Sequence, residues 1–584
     1  MINSVPPAAI FIIGAFLIPF LRGRLKSAYM LLLPVLAFIN LHNMPKGKSC
    51  IVKFLDYNLI LARVDNLSLV FGYIFILITF IAVLYALHVK DDRQHIASFC
   101  YAGGALGVTF TGDLLSLYVF WEILAVGSVV LVCAQKTKEP HSAAFRYFLW
   151  HFVGGIILLA GIILYVHTRG TNEFSYIGLS DPASYLIFVG FCLNAVVFPL
   201  HAWLPDAYPR ATVTGAVFMS ALTTKSAVYI LARTFPGADI LIWAGAFMTC
   251  FPIFYAVIEN DMRGVLAYSL INQVGFMICG IGIGTPLAIN GVTAHAFCHI
   301  IYKALLFMSV GSVLHMTGKI KATDLGGLYK TMPFTAICCI IGAASISGIP
   351  LTSGFISKSM TLSAVGMEHL PVIWFMLYFA SAGVFHHAGI KVPYFTFFSD
   401  DSGIRTKEPP FNMCLAMGIA AFLCIFLGVY PQPLYSILPY PVDYVPYTAF
   451  HVVGMLELLM FGALAFTLLI LSGYYPAELR AINLDTDWFV RLPGRGVVWL
   501  CNHTLNAIRS MTQALFSKEV LSVAKISKHP YIFLELFWNL IQGKRVSYQE
   551  FMDRPYNDNF YRIPIGLGAC LAIVFLFVYG VIFI

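Results

Sequence analysis

Apolar runs long enough to cross a bilayer, roughly 20 residues each, recur along almost the entire chain, and about 16 of them can be counted. Inside hydrocarbon each such run must satisfy its own backbone amides, which a helix does. Hydrophobic residues make up 59% of the 584 positions and charged residues 11%, so no stretch is left for a large water-soluble domain. The expected fold class is therefore an all-α polytopic membrane protein. Met1 to Phe20 has no basic region ahead of its apolar run, which reads as a first helix rather than a signal peptide.

The formal net charge is +8, yet the basic residues lie in short loops and form no single patch, so they read as topology signals and not as a nucleic-acid surface. With the N-terminus outside, the cytoplasmic side receives Arg22, Arg24 and Lys26, then Lys136, Lys138 and Arg146, then Lys319, Lys321 and Lys330, then Lys391, Arg405 and Lys407. The opposite side receives Tyr430 to Tyr447, which has no Lys or Arg. Lys46, Lys48 and Lys53 go against the pattern. The 13 cysteines are scattered with no C-x-x-C pair or Cys/His metal spacing, so no metal site and no cofactor is expected. A phosphate-binding Gly-rich loop with its Lys is also missing from the sequence, and energy has to come from an ion gradient or a partner.

The segment 474–562 is different in kind. It is polar and rich in Arg and Lys, with helical apolar spacing in Val497 to Phe516 and Tyr531 to Ile541. That is the pattern of a cytoplasmic amphipathic helix lying along a surface. A final span over 563–584 returns to the membrane. The organisation expected is N-terminal helices over 1–90, a first helical group over 95–233, a second over 240–390, additional helices over 411–473, then the surface segment and the last span.

Ionisable groups at mid-membrane cost about 2.5–3.5 kcal/mol each on insertion scales and call for a partner, a wet cavity or a function. Glu122 lies about two and a half turns beyond Asp113, itself at a helix start. Lys225 sits among small and hydroxyl residues in VFMSALTTKSAVYILAR. His295, His299 and Lys303 are spaced by four, and on a helix each step of four turns only about 40° and rises about 6 Å, making one polar stripe. Lys358 follows Ser347-Gly348-Ile349-Pro350, where proline should interrupt the helix. A similar interruption is expected around Pro199, with His201 and Asp206 beyond it. Two interrupted spans in corresponding halves point to an ion pathway built from inverted repeats. Buried lysine loses its proton more readily than the free side chain, whose pKa is about 10.4. A line of such groups suits protons, whereas Na+ or K+ would need clustered oxygens that the sequence does not localise.

Trp121-Glu122, FPLHAWLPDA from Phe198 to Ala207, the H-x-x-x-K of His299 and Lys303, and SGFISKSM from Ser353 to Met360 resemble the antiporter-like subunits of the complex I superfamily, above all the D-type component of Mrp-type multisubunit cation/proton antiporters. The resemblance implies two inverted five-helix repeats, each with a broken helix, over His95 to Arg233 and Ile240 to Ile390. It also implies Glu122 as the carboxylate of the first half-channel, Lys225 as the lysine after the first broken helix, Lys303 with His295 and His299 as the central relay, and Lys358 as the terminal lysine. Its 474–562 segment is similar to the lateral extension of the largest such component in complex I. One position departs: the broken-helix lysine of the family falls on Asn194, so Glu122 needs another partner, with Lys225 and Arg146 as candidates. The implied function is translocation of protons, or exchange of Na+ or K+ for protons, in an inner (cytoplasmic) membrane, with other membrane subunits as partners. The alternative is a proton-pumping component of a redox-driven complex. A solute permease or membrane-embedded enzyme is the third reading, and it would need a substrate pocket where this chain has a line of charges.

Overall fold

A computed structural model describes residues 5–135, 138–480, 483–528 and 537–544. The chain divides into a helical bundle that ends at Asp487 and a second unit that begins at Trp488. The bundle opens with α1 (Pro7–Ala15) and α2 (Gly23–Asn43), then a hairpin of β1 (Gly47–Phe54) and β2 (Tyr57–Val64). There follow α3 (Asn66–Ala86), α4 (Asp92–Phe110), α5 (Leu114–Cys133), α6 (Lys138–Arg169), α7 (Pro182–Asn194), the short α8 (Trp203–Ala207), α9 (Val213–Ala221) and α10 (Thr223–Thr234). Next come α11 (Asp239–Ile258), α12 (Met262–Ile283), α13 (Pro286–Thr317), α14 (Pro333–Ser347), α15 (Ser353–Met367) and α16 (Pro371–Val384). The last is prolonged by two wide π-helical stretches, Phe385–Lys391 and Tyr394–Phe398. The bundle closes with α17 (Phe411–Val429), α18 (Gln432–Tyr435) and α19 (Ala449–Ser472).

Short polar side chains set where several of these helices start. Asp65 with Ser68 and Asp181 with Ser184 form reciprocal capping boxes, and Asp113, Thr212 and Asp261 accept from the first free amides of α5, α9 and α12. α9, α10, α12 and α13 are almost wholly buried and form the centre, whereas α19 is mostly exposed at the rim. Glycines allow α11 and α12 to touch: a Cβ on Gly275 would lie 2.7 Å from the Thr249 amide nitrogen, and one on Gly245 would lie 2.2 Å from that of Cys279.

The expected architecture needs one correction. The fold is mostly helical but not all-α, because residues 47–64 pair as an antiparallel hairpin with Phe54 opposite Tyr57. Its strands are rich in β-branched and aromatic residues and too short to span, and Leu55 takes a positive φ of 52° in the two-residue turn. Lys48 on this hairpin pairs with Glu173 at 2.7 Å, and Lys46 donates to Asn66, so these lysines against the charge pattern serve a folded polar cap. Among the described residues, eleven helices are long and apolar enough to cross a membrane by themselves. The apolar helices α7 and α14 are shorter, each being one arm of an interrupted helix.

Residues 474–480 and 483–486 contain no helix and run across one end of the bundle before α20 (Asp487–Lys528) begins. α20 continues through Pro493 as a single helix about 63 Å long. Most of the second apolar stretch expected in this segment and the whole final span over 563–584 lie outside the described residues.

Candidate ion pathway

The α9–α10 junction shows how the fold accommodates a buried lysine. The helix breaks at Leu222, with φ −100° and ψ −65°, and the polar groups left over are filled by side chains. Tyr208 donates to the Met219 carbonyl at 2.7 Å, while Lys225 Nζ donates to the Ser220 carbonyl at 2.7 Å and to Thr224 Oγ1 at 3.1 Å. The Thr223 amide donates to the Tyr101 hydroxyl at 3.0 Å. Lys225 is fully buried. No proline or glycine marks this break, so its sequence signal is weak; Tyr101, which holds it, comes from α4.

α13 carries the next groups on one continuous helix. His295, His299 and Lys303 are fully buried, and the two imidazole rings lie 6.1 Å apart. His295 Nδ1 is 3.1 Å from Ser357 Oγ on α15. Both ring nitrogens of His299, His295 Nε2 and Lys303 Nζ have no hydrogen-bond partner among the described residues. Tyr302 packs against His299 at 5.2 Å and donates to Gln273 Oε1 on α12 at 3.1 Å. Lys225, Lys303 and Lys358 all lie within electrostatic reach of His299.

Lys358 occupies the α14–α15 interruption. α14 stops at Ser347, Gly348 adopts a left-handed φ of 77°, and α15 restarts at Ser353. The Lys358 ammonium donates at 2.6 Å to the Ile346 carbonyl freed by that stop, and it sits 5.4 Å above the Phe276 ring. The first interruption has the same character: α7 ends at Asn194, Val196 takes φ 53°, and the chain passes a cis Phe198–Pro199 bond before α8. Asn194 is buried at its mouth, and its amide nitrogen has no partner among the described residues.

Glu122 is half-buried on α5, hydrogen-bonded by Tyr118 one turn earlier and pressed against Gly155 of α6. The two candidate partners are engaged elsewhere. Lys225 faces Ser220 and Thr224, and Arg146 makes two bonds to Asp206, at 2.6 and 2.8 Å. Asp206 also holds Arg210 at 2.7 Å, so this acid beyond the first break is a guanidinium clamp. His201 turns to Asp485, 3.2 Å away, whose other oxygen accepts from Tyr268 at 2.9 Å. Burial alone would raise the Asp485 carboxyl, but the bonds from His201, the Thr486 amide and Tyr268 hold it below the usual carboxylate range.

Sequence reasoning missed a second polar group at the end of α16. His387 and Lys391 are fully buried on the first π stretch, with the His387 ring facing the Gly383 carbonyl one turn earlier. Lys391 pairs with Glu478 at 2.8 Å and donates to the carbonyls of Val257 and Glu259 at the close of α11. Burial raises the Glu478 carboxyl, against the pull of the Lys391 ammonium. The spacing of His387 and Lys391 was visible in FHHAGIK; the partner 87 positions later was not.

Residues 111–384 match a family model described as "NADH:quinone oxidoreductase/Mrp antiporter, TM". The chain is 28% identical over 497 residues to the A component of the Na(+)/H(+) antiporter of Alkalihalophilus pseudofirmus, covering 74% of this chain and 61% of that one. It is 32% identical over 295 residues to the D component of the antiporter of the same organism, covering 47% and 60%. To NAD(P)H-quinone oxidoreductase chain 5 of Synechocystis sp. it is 30% identical over 385 residues, covering 59% and 55%. Each of these alignments spans less than two thirds of the relative's own length. The fold matches a chain in the Mrp complex from Dietzia sp. DQ12-45-1b with a TM-score of 0.74 at 23% identity, covering 89% of this chain and 62% of that one.

Proposed function

We propose, from the match of residues 111–384 to the "NADH:quinone oxidoreductase/Mrp antiporter, TM" family model, that the chain translocates protons, or exchanges Na+ or K+ for protons, as an antiporter-like subunit of a multisubunit complex in the cell membrane. It is a multi-pass membrane protein. The observation that carries the reading is the buried line of Lys225, His299, His295, Lys303 and Lys358, in which four nitrogens have no protein partner among the described residues. Unpaired charge in a dry membrane interior is expensive, so groups of this kind belong in a hydrated route.

Two charges 6.1 Å apart repel by about 2–3 kcal/mol at an effective dielectric near 20, so His295 and His299 share at most one excess proton, one ring being imidazolium while the other stays neutral. A membrane potential of 100 mV is worth about 2.3 kcal/mol per charge. The two magnitudes are similar. A charge arriving at Lys225 or Lys358 therefore moves the shared proton along the stripe, and the membrane field biases the direction.

The finer architecture follows the same reading. Residues 95–233 and 240–390 act as two inverted five-helix half-channels within a protein of about 16 spans. Support comes from counting: α7–α8 is the fourth helix of the first group and α14–α15 the fourth of the second, and both are interrupted. Glu122 serves the first half, Lys225 its link to the centre, and Lys358 the terminal site, with Arg146, Asn194, His201 and Asp206 in support. Residues 474–562 form the cytoplasmic lateral segment and 563–584 its returning span.

The test is flux. The chain is purified with its co-associated subunits and reconstituted into vesicles with an imposed pH gradient. Adding Na+ or K+ collapses the gradient if the complex is a cation/proton antiporter. A response only to a redox substrate, with flavin or iron–sulfur subunits copurifying, assigns the chain to a redox-driven pump, a reading supported by its similarity to NAD(P)H-quinone oxidoreductase chain 5. Leakage no faster than in protein-free vesicles under both conditions would count against translocation. Asn194→Lys restores the family's charge at the first break. It is expected to change the flux or its pH dependence, and an unaltered rate means that charge at this site is not limiting.

A further inference from the structure

The buried groups of the proposed route do not stop at α13. His387, on the wide π stretch, lies within electrostatic reach of Lys303, and one turn further Lys391 is buried at the bundle end where α11 closes. π-Helical turns are uncommon and concentrate at functional sites. Glu478, which pairs with Lys391, belongs to the non-helical strap of residues 474–480 and 483–486 and is 8% exposed, whereas Lys391 is wholly covered. The same strap is tied down by Arg480 to Asp324, by Asn483 to Glu259 at 3.2 Å and by Asp485 to His201. Tyr475 packs beside His386, with ring centres 5.7 Å apart, and closes the flank.

We propose that His387, Lys391 and Glu478 continue the route from Lys303 to the surface at the α11 end of the bundle, with Glu478 as its outermost proton-exchanging group. By the loop charges this end is cytoplasmic. His387 has both Lys303 and Lys391 within electrostatic reach, and in this route it links the stripe on α13 to Lys391. A proton passed from the Lys391 ammonium to Glu478 leaves a neutral amine and a carboxylic acid, so the ion pair neutralises itself without stranding a charge. The acid then gives the proton to water and is ready to accept again. This inference rests on Lys303 being a relay, and the strap is then part of the conduction machinery and not only the lead-in to α20.

The experiment uses the intact complex in vesicles, with Lys303→Ala as reference. Lys391→Arg keeps the positive charge and the pairing but cannot release a proton near neutral pH. A structural ion pair would tolerate it, whereas a relay loses about 100-fold in proton flux. Glu478→Gln is expected to lose a similar factor, with flux partly restored by added formate, a small acid able to replace the missing carboxyl. Near-normal flux in Lys391→Arg while Lys303→Ala is inactive overturns the inference and leaves the central relay standing. Normal flux in Lys303→Ala overturns both. Loss in Glu478→Gln that formate does not relieve makes Glu478 a structural tether and removes it from the route.

Discussion

Replacing Lys303 by alanine is expected to cut proton flux by at least about 100-fold while the chain still inserts and assembles. Among the central lysines it gives the cleanest test, because its ammonium makes no hydrogen bond to the described protein. Lys225→Ala would uncover the Ser220 carbonyl at the α9–α10 break, and Lys358→Ala would strip the Ile346 carbonyl at the end of α14. Each of those losses mixes a structural cost of about 1–3 kcal/mol with any functional one. Lys303→Ala removes a charge whose presence at mid-helix costs about 2.5–3.5 kcal/mol on insertion scales, so membrane insertion is at least as favourable in the variant. The measurement is acidification of reconstituted vesicles followed with an entrapped pH dye, alongside yield and thermal midpoint of the assembled complex. Unchanged flux at normal assembly would remove the central relay from the mechanism.

What the sequence made visible was whatever is encoded locally. The His295–His299–Lys303 stripe follows from helical spacing, and its register on one uninterrupted α13 is what that spacing demands. Gly348 and Pro350 marked the second break and Pro199 the first, because these residue types limit the backbone by themselves. The break at Leu222 was invisible. It is held by Tyr101, which bonds Thr223 from 122 positions earlier, and by Lys225 folding back on the Ser220 carbonyl, and neither contact leaves a local pattern. Glu122 failed in another way: its depth was readable but its surroundings were not, and the partners available in the sequence are taken by Asp206 and by the α9–α10 break. The hairpin 47–64 was masked by its own apolar content, which in a chain this hydrophobic does not stand out. Glu478 and Asp485 looked like the ordinary acids of a polar segment; only the tertiary fold brings them to Lys391 and His201.

A single methyl group at Gly354 should have the second-largest effect, lowering stability by about 1–3 kcal/mol through overpacking and reducing flux by displacing Lys358. A Cβ at this position would lie 1.7 Å from the Ser345 carbonyl oxygen and 2.8 Å from its carbon. That oxygen cannot retreat freely, because it accepts the Gly348 amide at 3.1 Å in the turn that ends α14, and Ser345 Oγ meets Ser353 Oγ at 3.0 Å. The strain is therefore relieved by moving α15 away from α14. Lys358, one turn along α15, then loses the 2.6 Å bond to the Ile346 carbonyl that fixes its ammonium in the break. Gly366→Ala on the same helix is the control. Its nearest neighbour would be Trp374 Cδ1 at 3.9 Å, and alanine gains about 0.5–1 kcal/mol over glycine in a helix, so its thermal midpoint should hold or rise with flux intact. Opposite signs for the two variants tie Lys358 to the close α14–α15 contact. A thermal midpoint and flux for Gly354→Ala equal to those of the unmodified chain would mean that the interruption yields without cost, and a joint that loose could not hold a lysine at a fixed point on the route.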